Sequence, residues 1–414
     1  MAANYTRVGS YNALDNTIRN LTARYASLTQ LQENLTSGKR VLRPSDDPTA
    51  AAQAERAITR IARVQADQRA LDNQRNTMAL TESTLKNSVD LLQDARELVV
   101  QAGGAGLTAD NRATIANQIK AISEQLLGLA NTQDTNGLPV FSGLGSAGTP
   151  FASTGNAAPD DYTYQGLAGQ SASGEVWIPQ TLDGDLAWNF HPQRDGVFDA
   201  RLTLADPTLP LADGEKPLAT TPVAITGSPV ATGDSYRLSF AVDATTGAKT
   251  YQIVDTTTNT PVTATPQPYV DGQEITFDGL KITATGTPHD GDTVDITPQK
   301  NVFSVLDNAV DRIRNATDSN AAAQAVAQAL GQIDSALKNL NTSRSYAGEL
   351  LNRADRISGR QETRSTQLEA DRSRAEDLDM IQGISDQQNQ QTAYQAALGT
   401  YAQVQKLSLF NYIS

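Results

Sequence analysis

Two stripes of apolar residues, one at each end of the chain, repeat at the spacing of a helix that packs against another helix. Near the start, Leu14, Ile18, Leu21, Tyr25, Leu28 and Leu35 follow at alternating intervals of four and three, broken only by Gln32. Near the end, Tyr394, Leu398, Tyr401 and Gln405 keep the same rhythm inside a Gln- and Ala-rich run. Two positions per heptad make a narrow seam, which needs a partner helix and encloses no core of its own. The simplest pairing joins the first helix to the last and leaves surface over for neighbouring copies of the chain.

Between these stripes the helical rhythm continues inward from both ends and then stops. Residues 11–37 read as the first helix, closed by Gly38. Pro44, Ser45, Asp46, Asp47 and Pro48 then form a helix-break loop: Pro44 forces an extended residue before it, Ser45 to Asp47 offer capping oxygens, and Pro48 suits a first helical turn. A second helix runs to about Ala102, with Met78, Leu85, Leu92 and Val99 seven apart. A third, about 109–131, carries Ile115, Ile119, Ile122, Leu126 and Leu129, and Asn136-Gly137 after it is a hairpin signal. Helical spacing returns at Val302, Leu306, Ala309 and Ile313. Three more helices follow, one capped by Asp318 or Ser319, one polar from about 344 to 378, and a terminal one from about 380 to 408.

From about 145 to 300 Gly, Pro, Thr and Asp rise and short alternating runs take over. Glu175–Ile178, Tyr236–Phe240, Tyr251–Val254, Glu274–Phe277 and Lys281–Thr283 read as strands. The class is therefore α+β, an elongated rod of long antiparallel coiled-coil helices from both termini with an inserted all-β domain. Residues 1–45 and 380–414 form the terminal coiled coil, 46–145 and 301–379 the helical rod, and 146–300 a β-rich outer insertion of one or two small domains. Residues 1 to about 40 and about 380–414 are expected to be poorly ordered in the free chain and to fold on assembly, because a seam so narrow repays little of the entropy of ordering it.

Composition narrows the functional classes. Aromatic residues are 5% of the chain and charged residues 19%, with a formal net charge of −13, which opposes binding to nucleic acid or an anionic membrane. No cysteine is present, which removes disulfides and thiol chemistry. No apolar run approaches the ~18 residues that would span a bilayer, and the opening residues lack the basic-then-apolar order of a cleaved secretory signal.

Candidate chemistry is sparse. Asp46 and Asp47 read as helix caps rather than as a metal or acid–base pair. Gly143 to Gly148 spell a GxGxxG, but Thr149-Pro150 follows instead of a helix, so it reads as a flexible junction and not a phosphate loop. Asp290, Asp292 and Asp295 lack the spacing of a twelve-residue calcium loop and read as a turn. His191 and His289 stand far apart, with no HExxH and no Gly-x-Ser-x-Gly elbow. No cofactor, metal or catalytic residue is expected, and the chain reads as structural.

Several multi-residue stretches resemble the flagellin superfamily, and within it the hook-associated proteins. They are Leu35-Thr36-Ser37-Gly38-Lys39-Arg40-Val41 with the loop at 44–48, Arg96-Glu97-Leu98 through Val100-Gln101, and Ser373-Arg374-Ala375-Glu376-Asp377-Leu378-Asp379. Asn131–Gly137 with Phe141-Ser142-Gly143 is similar to the hook-associated pattern. The resemblance implies a structural subunit of the bacterial flagellum, exported unfolded by the flagellar type III apparatus and joining hook to filament by self-assembly outside the cell. Its implied partners are further copies in a ring, the first hook-associated protein, flagellin, and a cytoplasmic export chaperone. That chaperone would mask the apolar end formed by Leu407, Leu409, Phe410, Tyr412 and Ile413. A filament-forming flagellin is the nearest alternative, and a surface adhesin acting through the β insertion is a second.

Overall fold

A computed structural model of the chain describes residues 5–413, apart from 105, 147, 157–160, 207, 208, 210–214 and 228–230; side-chain surroundings are described, outside those gaps, from 15 to 403 and at 405. The helices are α1 (Tyr5–Ser37), α2 (Pro48–Ala102), α3 (Ala109–Ala130), α4 (Gly184–Trp188), α5 (Val302–Arg314), α6 (Ser319–Glu376) and α7 (Met380–Ile413). The chain divides into two compact units, Met1–Arg69 with Ser358–Ser414, and Ala70–Ile357.

In the larger unit, the seven-residue repeat of α2 becomes a core. Leu71, Met78, Leu85, Leu92 and Val99 are all buried, and so are Ile333, Leu340, Ala347 and Ala354, seven apart on α6. The small alanines let two long helices approach closely. Ion pairs mark their direction: Arg75–Asp355 at 3.0 Å, Arg344–Glu82 at 2.7 Å and Arg96–Asp334 at 2.8 Å. As the α2 number rises the α6 number falls in step, so the two run antiparallel. These exposed pairs add little stability each and act mainly as register marks. Arg96 of the Arg-Glu-Leu stretch thus serves helix packing.

α6 departs from the sequence-based expectation of separate helices at 319–340 and 344–378. It is continuous, because Leu340, buried Ser343 and Ala347 keep the seam through the polar stretch Asn341–Arg344. The Thr342 and Ser345 hydroxyls donate to the carbonyls of Lys338 and Asn341 at 2.8 and 2.9 Å, which satisfies them without breaking the ladder.

Twelve strands are described: β1 (Phe151–Ser153), β2 (Tyr162–Tyr164), β3 (Phe198–Thr203), β4 (Ala219–Thr220), β5 (Ala224–Ile225), β6 (Tyr236–Val242), β7 (Lys249–Asp255), β8 (Thr260–Pro261), β9 (Gln267–Pro268), β10 (Glu274–Phe277), β11 (Leu280–Thr285) and β12 (Thr293–Pro298). One antiparallel sheet has the order β3-β12-β6-β7-β8, with β9 also on β7; a smaller one has β10-β11-β4, with β5 on β11. Alternate residues of both, including Leu238, Phe240, Ile253, Ile275, Ile282, Val294 and Ile296, share one buried cluster. The β1–β2 pair stands apart. Phe151 belongs to the helical core together with Ile178, Trp188 and Phe303.

Glu175–Ile178 is no strand. Gly174 N–H donates to the Trp177 carbonyl at 3.0 Å and Ile178 N–H to Gln74 Oε1 at 3.1 Å, so the segment turns and inserts Ile178 into the helical core. The Asn136-Gly137 turn is present, but its loop is five residues long, closed by a Gln133–Pro139 bridge. Asp134 Oδ1 organises it by accepting from the N–H groups of Asn136 and Leu138 at 2.8 and 2.9 Å.

A buried polar group ties β3 to α5 and α6. Arg312 pairs with Asp199, whose Oδ1 also accepts from Gln332 Nε2 at 3.0 Å. Burial pushes the Asp199 carboxyl up despite the guanidinium, and pushes Arg312 down. Desolvation governs both, so the pair fixes the position of β3 more than it stabilises the fold.

Candidate assembly interface

The smaller unit is organised by two short helix breaks. Gly38, at φ +70°, ends α1 in the left-handed region that glycine adopts without strain. Asp46 Oδ2 then accepts from Leu42 and Arg43 N–H at 3.2 and 2.9 Å, folding the loop back on itself. Asp47 Oδ1 accepts from Thr49 and Ala50 N–H at 3.1 and 3.0 Å, capping α2, while Arg40 Nη1 reaches its other oxygen at 3.1 Å. The Ala50 amide, and after it Arg40, hold the Asp47 carboxyl below the usual carboxylate range. Pro44 and Ser45 are exposed in the turn, and Pro48 is the first residue of α2. Each of the two carboxylates is taken up by backbone N–H groups of the loop or of the first turn of α2. Replacing Asp47 by alanine should therefore speed amide exchange at Thr49 and Ala50 several-fold and leave the core of α2 unchanged. The cap works when ionised, so its contribution is present above about pH 4 and lost as pH falls through the depressed folded value.

The second break lies beside the first. Arg40 N–H donates to the Glu376 carbonyl at 2.7 Å, Leu378 N–H to the Gly38 carbonyl at 2.9 Å, and Arg40 Nη2 to the Ala375 carbonyl at 2.9 Å. Lys39 pairs with Glu376. Asp379 Oδ1 accepts from Ile381 and Gln382 N–H at 3.0 and 3.2 Å and caps α7 as Asp47 caps α2. The two sequence stretches 35–48 and 373–379, far apart in the chain, thus form one clasp. Sequence reasoning identified each and missed their contact, since nothing in either stretch names its partner.

From the clasp, α1 and α7 run antiparallel. Leu35 lies against Gly383, where an added Cβ would come 3.1 Å from Leu35 Cδ2 and 2.9 Å from Leu378 Cδ2. Further along, the Tyr25 and Tyr394 rings meet at 5.9 Å. The pair stays open. Among the described residues of α1 and α7, only Asn34 and Gly383 are buried. Tyr25 remains 59% exposed, Ile18 41% and Leu398 42%. Leu21, Leu28, Leu35, Tyr394 and Tyr401 are half-buried, and Gln405, whose Nε2 lies 3.5 Å from the Tyr401 hydroxyl, is exposed. The side chains of Leu14, Leu407, Leu409, Phe410, Tyr412 and Ile413 lie outside the described residues.

Met380, Ile381 and Ile384 extend this exposed apolar surface at the head of α7, with Ile381 at 85%. Met380 and Ile384 continue the four-three rhythm of Tyr394, Leu398 and Tyr401 backward through Gln387 and Gln391. Those two polar positions interrupt the apolar stripe and hid its extension; Ile381 lies one residue off the rhythm. Charge permits close approach of copies here. Residues 1–69 and 358–414 hold 15 Lys/Arg and 13 Asp/Glu, leaving 18 and 33 for residues 70–357, so the excess negative charge belongs to the other unit.

The remaining candidates disperse. Asp292 accepts from the N–H groups of Ala205 and His289 at 2.9 and 2.7 Å, Asp290 from Val242 N–H at 3.2 Å, and Asp295 pairs with Arg237 at 2.6 Å. Three carboxylates with three separate tasks do not converge on an ion. The glycines at 143 and 145 are packed rather than loose: an added Cβ would meet the Leu167 backbone at 2.3 and 2.7 Å.

Comparison with known proteins agrees with this arrangement. Residues 8–146 match the bacterial flagellin N-terminal helical region, and 330–413 the C-terminal helical region. The flagellar hook-associated protein 3 of Salmonella typhimurium is 35% identical over 147 residues, covering 35% of this chain and 46% of the relative; that of Escherichia coli is 32% identical over 185 residues, 44% and 54%. The chain thus spans about half the length of these curated relatives. The crystal structure of the flagellar junction protein FlgL from Legionella pneumophila superposes with a TM-score of 0.59 at 27% identity, over 73% of this chain and 99% of that one. With both flagellin helical regions in order and the fold of a junction protein between and around them, the chain belongs to the flagellin superfamily, alongside the hook-associated protein 3 members.

Proposed function

We propose that the chain is a structural subunit of the bacterial flagellum that joins the hook to the flagellin filament. The observation that carries this reading is the open α1–α7 pair, an aligned apolar stripe left uncovered in a family whose similar members are hook-associated and junction proteins. In this reading Ile18, Leu21, Tyr25 and Leu28 on α1, with Tyr394, Leu398 and Tyr401 on α7, are covered by the same surfaces of neighbouring copies in a ring. Exposed Gln32, Gln388, Gln391 and Gln395 supply polar layers that set register at some cost in stability. The ring contacts the first hook-associated protein on one side and flagellin on the other. A cytoplasmic chaperone holds residues 407–413 before export, and the subunit works outside the cell without catalysing a reaction.

Deletion of the gene tests this. The expected phenotype is intact hooks, absent filaments and flagellin released into the medium, restored by the wild-type chain and not by one carrying Ile18→Asp with Leu398→Asp. Long filaments grown from this protein alone on a seed would instead make it a filament subunit.

A further inference from the structure

An acid cluster unused by the assembly reading fastens the β1–β2 pair to α5. Asp161 is 6% exposed and Ser304 is fully buried. The Ser304 hydroxyl lies 2.8 Å from Asp161 Oδ1 and 2.7 Å from Asn301 Oδ1. Asn301 caps α5 by accepting from Ser304 N–H at 2.8 Å, which fixes that atom as an oxygen. One hydroxyl hydrogen serves only one of the two oxygens. Asp161 Oδ2 is buried with no donor, and the Asp307 carboxyl of α5 lies within hydrogen-bonding reach of Asp161. Asp307 itself accepts from the Tyr162 hydroxyl at 3.1 Å and the Ser123 hydroxyl of α3 at 3.3 Å. With both acids ionised, oxygen faces oxygen with too few hydrogens between, in surroundings where unpaired charge is costly.

We propose that Asp161 and Asp307 hold one proton between them, and that this proton latches the β1–β2 pair onto α5 and α3 in a pH-dependent way. Whichever Asp161 oxygen carries the proton, it removes one of the bare oxygen contacts. Burial, reinforced by the neighbouring Asp307, raises the Asp161 carboxyl to about 6. Among the described residues, the groups facing it are Asp307 on α5 and Tyr162 on β2, whose phenol burial pushes up and so keeps protonated; α3 contributes uncharged Ser123, and Lys300 ahead of α5 is exposed. A group raised in the folded state gives stability that is complete below its unfolded value, about 4, and lost as pH rises through about 6. The latch is closed in acid and released near neutrality.

Hydrogen–deuterium exchange of peptides covering 151–164 in the full chain tests this, after correction for intrinsic exchange rates. Opening of this segment should increase about tenfold from pH 5 to pH 7.5 in the wild type, as the linkage requires. Asp161→Asn, which supplies a permanent donor to Asp307, should show no such change. Carbon-13 titration of the wild-type carboxyls decides the matter independently should the variant fold poorly. An Asp161 signal titrating near 6 supports the latch. Titration near 4, or an equal pH response in Asp161→Asn, overturns it.

Discussion

Replacing Phe303 by alanine is expected to cost about 3–5 kcal/mol. Phe303 sits in the first turn of α5, fully buried. It stacks on Trp188 at 5.5 Å and 15°, meets Phe151 edge-on at 5.5 Å, and lies 5.2 Å from Tyr162. Phe141 closes on Trp188 from another side at 5.7 Å. Rings held by rings have little freedom to collapse into a vacated space, so the cavity term persists on top of the lost transfer energy. Trp188 is one of only two tryptophans in the chain, and its fluorescence gives a local reporter of urea unfolding. A clear fall in midpoint with unchanged slope is the expected result. A loss below about 1 kcal/mol would mean that the surrounding helices relax into the space.

That aromatic cluster also shows where the sequence was informative and where it was not. The seven-residue spacing of Met78, Leu85, Leu92 and Val99 announced a buried helix face because period alone encodes it. Tyr236–Phe240 and Tyr251–Val254 were visible as strands for the same reason, and Asp47 as a cap because its Pro-flanked position admits few alternatives. Four features were hidden. The continuity of α6 through Asn341–Arg344 depends on polar side chains turning back to their own helix, which composition disguises as a break. Ile178 is an apolar plug whose neighbours resemble a strand only by alternation over four residues. The Asp161–Ser304 hydrogen bond joins positions 143 residues apart, beyond the reach of any local pattern. The β1–β2 pair likewise contributes to the helical core through Phe151, a long-range fact that its loop-like sequence conceals.

The terminal helices present the opposite situation, since their pattern is plain and their burial is missing. α2 uses its stripe inside the chain, whereas α1 and α7 leave Ile18, Tyr25, Ile381 and Leu398 exposed. Exposed seams protect backbone hydrogen bonds poorly, because local opening there uncovers little additional apolar surface. Contact with another copy changes that balance by removing the stripe from water, at ~25 cal/mol per Å² of apolar area covered. Free and assembled forms should therefore differ most along α1 and α7 and least along the buried stretch of α2.

Amide exchange compared between the isolated chain and its assembled form measures this directly. In the isolated chain, amides of residues 15–35 and 381–403 should exchange orders of magnitude faster than those of residues 78–99, and on assembly they should slow toward the same level. Protection of α1 and α7 in the isolated chain equal to that of α2, with no change on assembly, would contradict an interface completed by neighbouring copies.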